Sequence, residues 1–132
     1  MSQVLIVDDE KNVLKTLSIG LKRSDFTVRE ARNGKEAFKI MEEDMCEIVV
    51  SDIRMAPMDG YTMVSQLREK YPQVRIILMS AYGFDEEDPE KKMLYQYPRL
   101  TKPFTVAELV RFISNEQCLY YQNRINQFEQ EP

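Results

Sequence analysis

The chain reads as an α/β domain with a central parallel sheet and helices on both faces. Three observations carry that reading. Short apolar runs alternate with longer stretches whose apolar residues recur at helical spacing, from Val4 to about Glu116. Val4–Val7, Ile48–Val50 and Ile76–Met79 are unbroken apolar runs, as strands covered on both faces require. Each of these runs stops abruptly at polar residues: Asp8-Asp9, Ser51-Asp52 and Ser80.

The elements follow in order. Val4 to Val7 is a short buried strand ended by Asp8-Asp9-Glu10. From Asn12, Val13, Leu14, Leu17, Ile19 and Leu21 mostly fit one helical face, with Lys11, Lys15, Lys22 and Arg23 toward water. Phe26 to Ala31 alternates apolar and charged residues and suits a less buried strand. Asn33-Gly34 supplies a turn, and Lys35 to Glu43 forms a helix with Ala37, Phe38 and Met41 inward. Strand three is Glu47 to Ser51, followed by the Asp52 loop and a helix from about Tyr61 to Lys70, closed by Tyr71-Pro72. Val74 to Met79 is strand four. The charged stretch after Gly83 carries Pro89, which suits at most the first turn of a short helix from about Asp88 to Tyr95. Arg99-Leu100-Thr101 is the fifth strand. Val106, Leu109, Val110 and Ile113 define a last amphipathic helix, with Thr105 and Glu108 at capping-box spacing.

The 132 residues fit one domain and leave no room among them for a second catalytic or DNA-binding domain. A 43% hydrophobic and 30% charged composition excludes a disordered chain. The longest apolar runs are only about five residues, too short to span a membrane. No basic region precedes the first strand, so a signal peptide is not expected and the expected location is cytoplasmic. The absence of histidine excludes His-based triads, most zinc sites and a phosphohistidine carrier. Cys46 and Cys118 lack metal or redox spacing and read as structural thiols. A net charge of -4 argues against general nucleic-acid binding, and none of the four glycines builds a phosphate-binding loop.

In an open parallel sheet the carboxyl ends of the strands converge on one edge, where ligands bind. Asp8 and Asp9 end strand one, Asp52 strand three, Ser80 strand four and Lys102 strand five. Three carboxylates within a few Å repel by several kcal/mol per pair even at an effective dielectric of ~20, so they need a cation. With only oxygen ligands on offer, a hard divalent ion such as Mg²⁺ is the expected one. Together with Lys102 it cancels the three acids and leaves a site ready for an anion. Read singly, each polar residue merely ends its strand, and Asp8-Asp9 also suits an N-cap for helix one.

The stretches Val4-Leu5-Ile6-Val7-Asp8-Asp9-Glu10, Ser51-Asp52-Ile53-Arg54-Met55 with Met58-Asp59-Gly60, Met79-Ser80-Ala81-Tyr82-Gly83 and Thr101-Lys102-Pro103-Phe104 run in an order that resembles the receiver domains of bacterial two-component response regulators. The resemblance covers residues 3 to about 117. It implies a flavodoxin-like three-layer sandwich with strand order 2-1-3-4-5, and phosphorylation of Asp52 by a sensor histidine kinase or phosphotransfer protein. It also implies Mg²⁺ held by Asp9, Asp52 and the Arg54 main-chain carbonyl, with Asp8 through water. Lys102 is then the counter-ion of the phosphoryl group, Ser80 the switch hydroxyl, and Lys102-Pro103 a cis bond. Such a domain is a switch that alters its surface for a downstream protein target, not an enzyme beyond slow autodephosphorylation.

The chain departs from the family in three places. Ala56-Pro57 shifts a proline by one position near Asp52. Arg99 stands three residues before Lys102, where the family commonly has an aromatic residue, and Tyr97 lies two residues earlier, on the same side if the strand extends that far. With Pro89 and the acids around it, this predicts that residues 84–98 are mobile or atypically folded, without a standard fourth helix, and that output bypasses the usual aromatic coupling. The third departure is the end of the sequence, which leaves either a stand-alone regulator or an excised receiver: residues 1–117 form the receiver and 118–132 extend its last helix or form a tail. Tyr120, Tyr121, Ile125 and Phe128 offer either a docking or homodimer face or a frayed helix folded back on the domain. Arg54 and Tyr82 are bulky and flank the water route to Asp52, which predicts a long-lived aspartyl phosphate. Two other functions compete: a receiver-like interaction module not controlled by phosphorylation, and an Asp-nucleophile Mg²⁺ phosphatase. The latter class usually has a second acid where this chain has Arg54.

Overall fold

A computed structural model of the chain describes residues 3–53, 60–80 and 97–114. Five strands, β1 (Gln3–Val7), β2 (Thr27–Ala31), β3 (Ile48–Asp52), β4 (Arg75–Ser80) and β5 (Arg99–Thr101), form one parallel sheet in the order β2-β1-β3-β4-β5. The helices are α1 (Lys11–Arg23), α2 (Gly34–Glu43) and α3 (Gly60–Lys70), and residues 106–114 are helical as well. The arrangement is the expected flavodoxin-like sandwich.

Several element bounds move by one residue. Helix α1 starts at Lys11 rather than Asn12, β2 at Thr27 rather than Phe26, α2 at Gly34 rather than Lys35, and α3 at Gly60 rather than Tyr61. Strands β3 and β4 each lie one residue later than their apolar runs predict, ending at Asp52 and Ser80. The Ile53 amide donates to the Met79 carbonyl and the Lys102 amide to the Ser80 carbonyl, so main-chain pairing carries each ladder past the last apolar side chain. The expected helix at Asp88 to Tyr95 and the tail at 118–132 lie outside the described residues.

Side chains alternate across the sheet, and each face has its own core. Leu5, Val7, Val49, Ile76 and Leu78 pack with Ala37 and Met41 of α2 and with Met63, Val64 and Leu67 of α3. Val4, Ile6, Ile48, Val50, Ile77 and Met79 pack with Leu14, Leu17 and Leu21 of α1 and with Leu109 and Ile113. The unbroken apolar runs of the central strands therefore serve both layers.

Ile19 is a correction. It is 44% exposed, and Ser18 is buried in its place. Ile19 lies two positions from both Leu17 and Leu21, which turns it away from their face, whereas Ser18 falls four after Leu14 and three before Leu21.

The ends of the helices follow local chemistry. The Asn33 side chain accepts from the Glu36 amide at 2.9 Å, and the Glu36 carboxylate accepts from the Arg32 amide at 2.8 Å. Helix α1 closes with Phe26 N–H donating to Leu21 and Asp25 N–H to Lys22, the Schellman pattern, which places Asp25 at a φ of 68°. Thr105 caps the helix at 106–114 by accepting from the Glu108 amide at 3.1 Å.

Gly20 lets that helix approach α1, because a Cβ there would lie 2.5 Å from both Val106 methyl carbons. The contact outweighs the poor helix propensity of glycine. Gly20→Ala should therefore destabilise the domain by about 1–2 kcal/mol in urea unfolding although alanine favours helix, and Val106→Ala in the same chain should relieve the clash. Asp25→Gly should raise stability by about 0.5–1 kcal/mol, since only the left-handed backbone at that position is being relieved.

Candidate functional site

The sheet register assembles the site. Val7 pairs with Ser51, Asp52 with Met79 and Ser80 with Thr101, while the Asp8 amide extends the β1–β2 ladder to the Ala31 carbonyl. Asp8, Asp52, Ser80 and Lys102 consequently stand within one residue of the carboxyl edge of four strands, and one carboxylate oxygen each from Asp8, Asp9 and Asp52 lie within 4.8 Å of one another. Asp8 is fully buried and Asp52 is 6% exposed, whereas Asp9 faces solvent.

Asp8 is held at both oxygens. Its Oδ1 accepts from the Glu10 amide at 2.9 Å, and its Oδ2 accepts from the Lys102 ammonium at 2.6 Å. It shapes the loop after β1 rather than capping α1, whose N-cap is Glu10 without a side-chain bond. Lys102 Nζ also lies 3.4 Å from Asp52 Oδ2, so a single ammonium joins the first strand to the third. Burial is the strongest single influence on Lys102 and acts to lower its pKa. The hydrogen bond and charge of Asp8, then those of Asp52, outweigh it and hold the pKa above the usual lysine value. The ammonium therefore stays charged at neutral pH.

Ser80 is fully buried at the last position of β4. The Lys102-Pro103 bond is cis. Arg54, whose carbonyl is the fourth expected metal ligand, lies outside the described residues, as do Ala56-Pro57, Tyr82 and residues 84–96. Cys46 is buried against β3, and burial first, then the Asp44 charge, raise its thiol pKa to about 11, as befits a structural thiol.

The hard-ion expectation fits the residues found. The three clustered acids offer only oxygen, and the buried pair is oriented by Lys102 and by a main-chain amide. One contact was not anticipated. Tyr97, 7% exposed, belongs to the core on the α2 and α3 side, and its hydroxyl accepts from Arg68 Nε at 2.9 Å. Leu100 packs on the opposite face; β5 starts only at Arg99, so strand alternation does not reach Tyr97, and no local pattern marks Arg68 as its partner.

Comparison with known proteins points the same way. The family model for the response regulator receiver domain matches residues 4–114. The sensor kinase CckA of Brucella abortus is 37% identical over 80% of this chain, and the transcriptional regulatory protein SrrA of Staphylococcus aureus is 32% identical over 83%. The chain spans only 11% and 45% of those two proteins. Response regulator protein TrrA from Thermotoga maritima, solved in complex with Mg²⁺-BeF, aligns over 87% of this chain and 98% of its own, with a TM-score of 0.77 and 28% identity.

Removing the ammonium strands two buried acids side by side. Lys102→Met should cost about 3–5 kcal/mol in urea unfolding at neutral pH without divalent ions, and Asp8→Asn in the same chain should recover part of that loss. Additive effects of the two substitutions would contradict the coupling.

Proposed function

Because the chain belongs to the response regulator receiver domain family, we propose that it is a phosphoryl-accepting signalling switch with Asp52 as its acceptor. The observation that carries this reading is the pairing of Asp52 with Asp8, Asp9 and Lys102 at one sheet edge. A carboxylate beside an ammonium is a competent nucleophile toward phosphorus. Asp8 and Asp9 are too close to it to have no task in charge balance.

An Asp52 oxygen attacks the phosphorus of a phosphohistidine on a sensor histidine kinase or phosphotransfer protein. The new O–P bond forms as the N–P bond breaks, and the imidazole leaves with the electron pair. Lys102 meets a phosphoryl oxygen as the phosphoryl group moves onto Asp52. Asp8, Asp9, Asp52 and the Arg54 carbonyl would hold Mg²⁺, which when bound neutralises charge on the transferring phosphoryl group. TrrA was solved with the corresponding ion and phosphoryl mimic, which supports this assignment.

Ser80 is the switch hydroxyl on this reading. A hydrogen bond from it to a charged phosphoryl group is worth ~1.5–3 kcal/mol, enough to shift a two-state equilibrium about tenfold to a hundredfold. The altered surface then engages a downstream protein target. No described helix is long and apolar enough to cross a membrane, in keeping with a cytoplasmic location.

Incubation with Mg²⁺ and acetyl phosphate should add one phosphoryl mass to the intact chain, and Asp52→Asn should abolish the gain. No labelling of the unaltered chain identifies a receiver-like interaction module that phosphorylation does not control. Turnover of an added phosphomonoester identifies a phosphatase. Asp9→Asn should weaken Mg²⁺ binding, read by calorimetry, by at least about tenfold while leaving the fold intact.

A further inference from the structure

Strand β5 is the shortest of the five described strands. It has three residues, lies at an edge and pairs only with β4. Beyond that ladder it is fixed by the Pro98 carbonyl, which accepts from the Leu78 amide at 2.9 Å, and by the Lys102 amide, which donates to Ser80 at 2.8 Å. Among the described residues, Leu100 and Tyr97 pack from opposite faces. Leu100 packs into the core shared with α1, and Tyr97 packs into the core shared with α2 and α3.

Of the two, only Tyr97 carries a directional bond. Its hydroxyl accepts from Arg68 Nε at 2.9 Å, and the Arg68 guanidinium carbon lies 5.1 Å from the ring centroid. Arg68 is not free to follow a moving ring, because its other arm donates to the Pro72 carbonyl at the end of α3. A planar guanidinium held at two points gives the phenol one position.

The opposite end of β5 carries Lys102, which here binds Asp8 more closely than Asp52, at 2.6 against 3.4 Å. If Asp52 takes up a phosphoryl group, Lys102 and Ser80 must close on it, and Ser80 and Thr101 are register partners. That movement draws the β4–β5 edge toward the acceptor and slides Tyr97 past a fixed Arg68. Hydrogen bonds weaken steeply with distance and angle, and packed cores change between discrete arrangements rather than deforming smoothly.

We infer that the Arg68–Tyr97 contact is a latch that holds β5 in its unphosphorylated position and so opposes phosphoryl acceptance at Asp52. The latch rests on the phosphoryl-acceptor reading. It ties the switch to α3, making α3 the element that senses the state of β5. A bond from a charged donor is strong enough to bias such an equilibrium about tenfold.

The test uses Mg²⁺ with beryllofluoride as a phosphoryl mimic, titrated calorimetrically into the full chain. Tyr97→Phe keeps the ring and removes only the hydroxyl, and Arg68→Met keeps the stem and removes the donor. Both should bind the mimic about tenfold more tightly than the unaltered chain. Urea unfolding establishes that each variant is folded, and should Arg68→Met fail to fold, Tyr97→Phe decides alone. Unchanged or weaker binding in a folded variant overturns the latch and leaves the acceptor reading standing. Absence of binding to the unaltered chain overturns that reading, and the latch with it.

Discussion

The ammonium of Lys102, set between two buried aspartates, is the interaction on which the rest of the site depends. Asp8 and Lys102 lie 94 positions apart in the chain, on strands with two others between them. Their contact exists only when the sheet has closed in its observed order. An unpaired carboxylate in such surroundings would cost several kcal/mol, so the charge arrangement is also a condition on the fold. The same three acids that need compensation are the ones placed so that they could hold a divalent ion.

The two cores supply the setting for that charge. Because Val4–Val7, Ile48–Val50 and Ile76–Met79 are apolar on both sides, the middle of the sheet is apolar up to its carboxyl edge, where polar side chains appear together. Helix α1 and the helix at 106–114 seal one face through the Gly20–Val106 approach, and α2 and α3 seal the other. Asp52 sits at the boundary, in the last position of β3 and almost fully buried, within reach of Lys102. Strand β5 belongs to the same boundary and, within the sheet, pairs with β4 alone.

Much of this was legible in the sequence. Central strands announce themselves as unbroken apolar runs because both faces are covered, and the polar residue that stops each run is the one delivered to the functional edge. That is why Asp8, Asp52 and Ser80 stand out in the sequence itself. The less regular features escaped. Ser18 is buried and Ile19 exposed because helical angle, not hydrophobicity, decides their direction. The strands outlast their apolar runs at Asp52 and Ser80 because backbone pairing is indifferent to side-chain polarity. The bond from Arg68 to Tyr97 joins residues 29 positions apart and leaves no periodic trace, so the substitution of Arg99 for an aromatic residue was visible while the anchoring of Tyr97 was not.

Which of three neighbouring acids accepts the phosphoryl group is the central question, and locating the modified residue answers it most directly. An acyl phosphate formed with acetyl phosphate and Mg²⁺ can be reduced by borohydride, converting the acceptor aspartate to homoserine, and the peptides can then be sequenced by mass spectrometry. Homoserine at position 52 alone is the result this account predicts. Homoserine at position 8 or 9, or at none of the three, would contradict it.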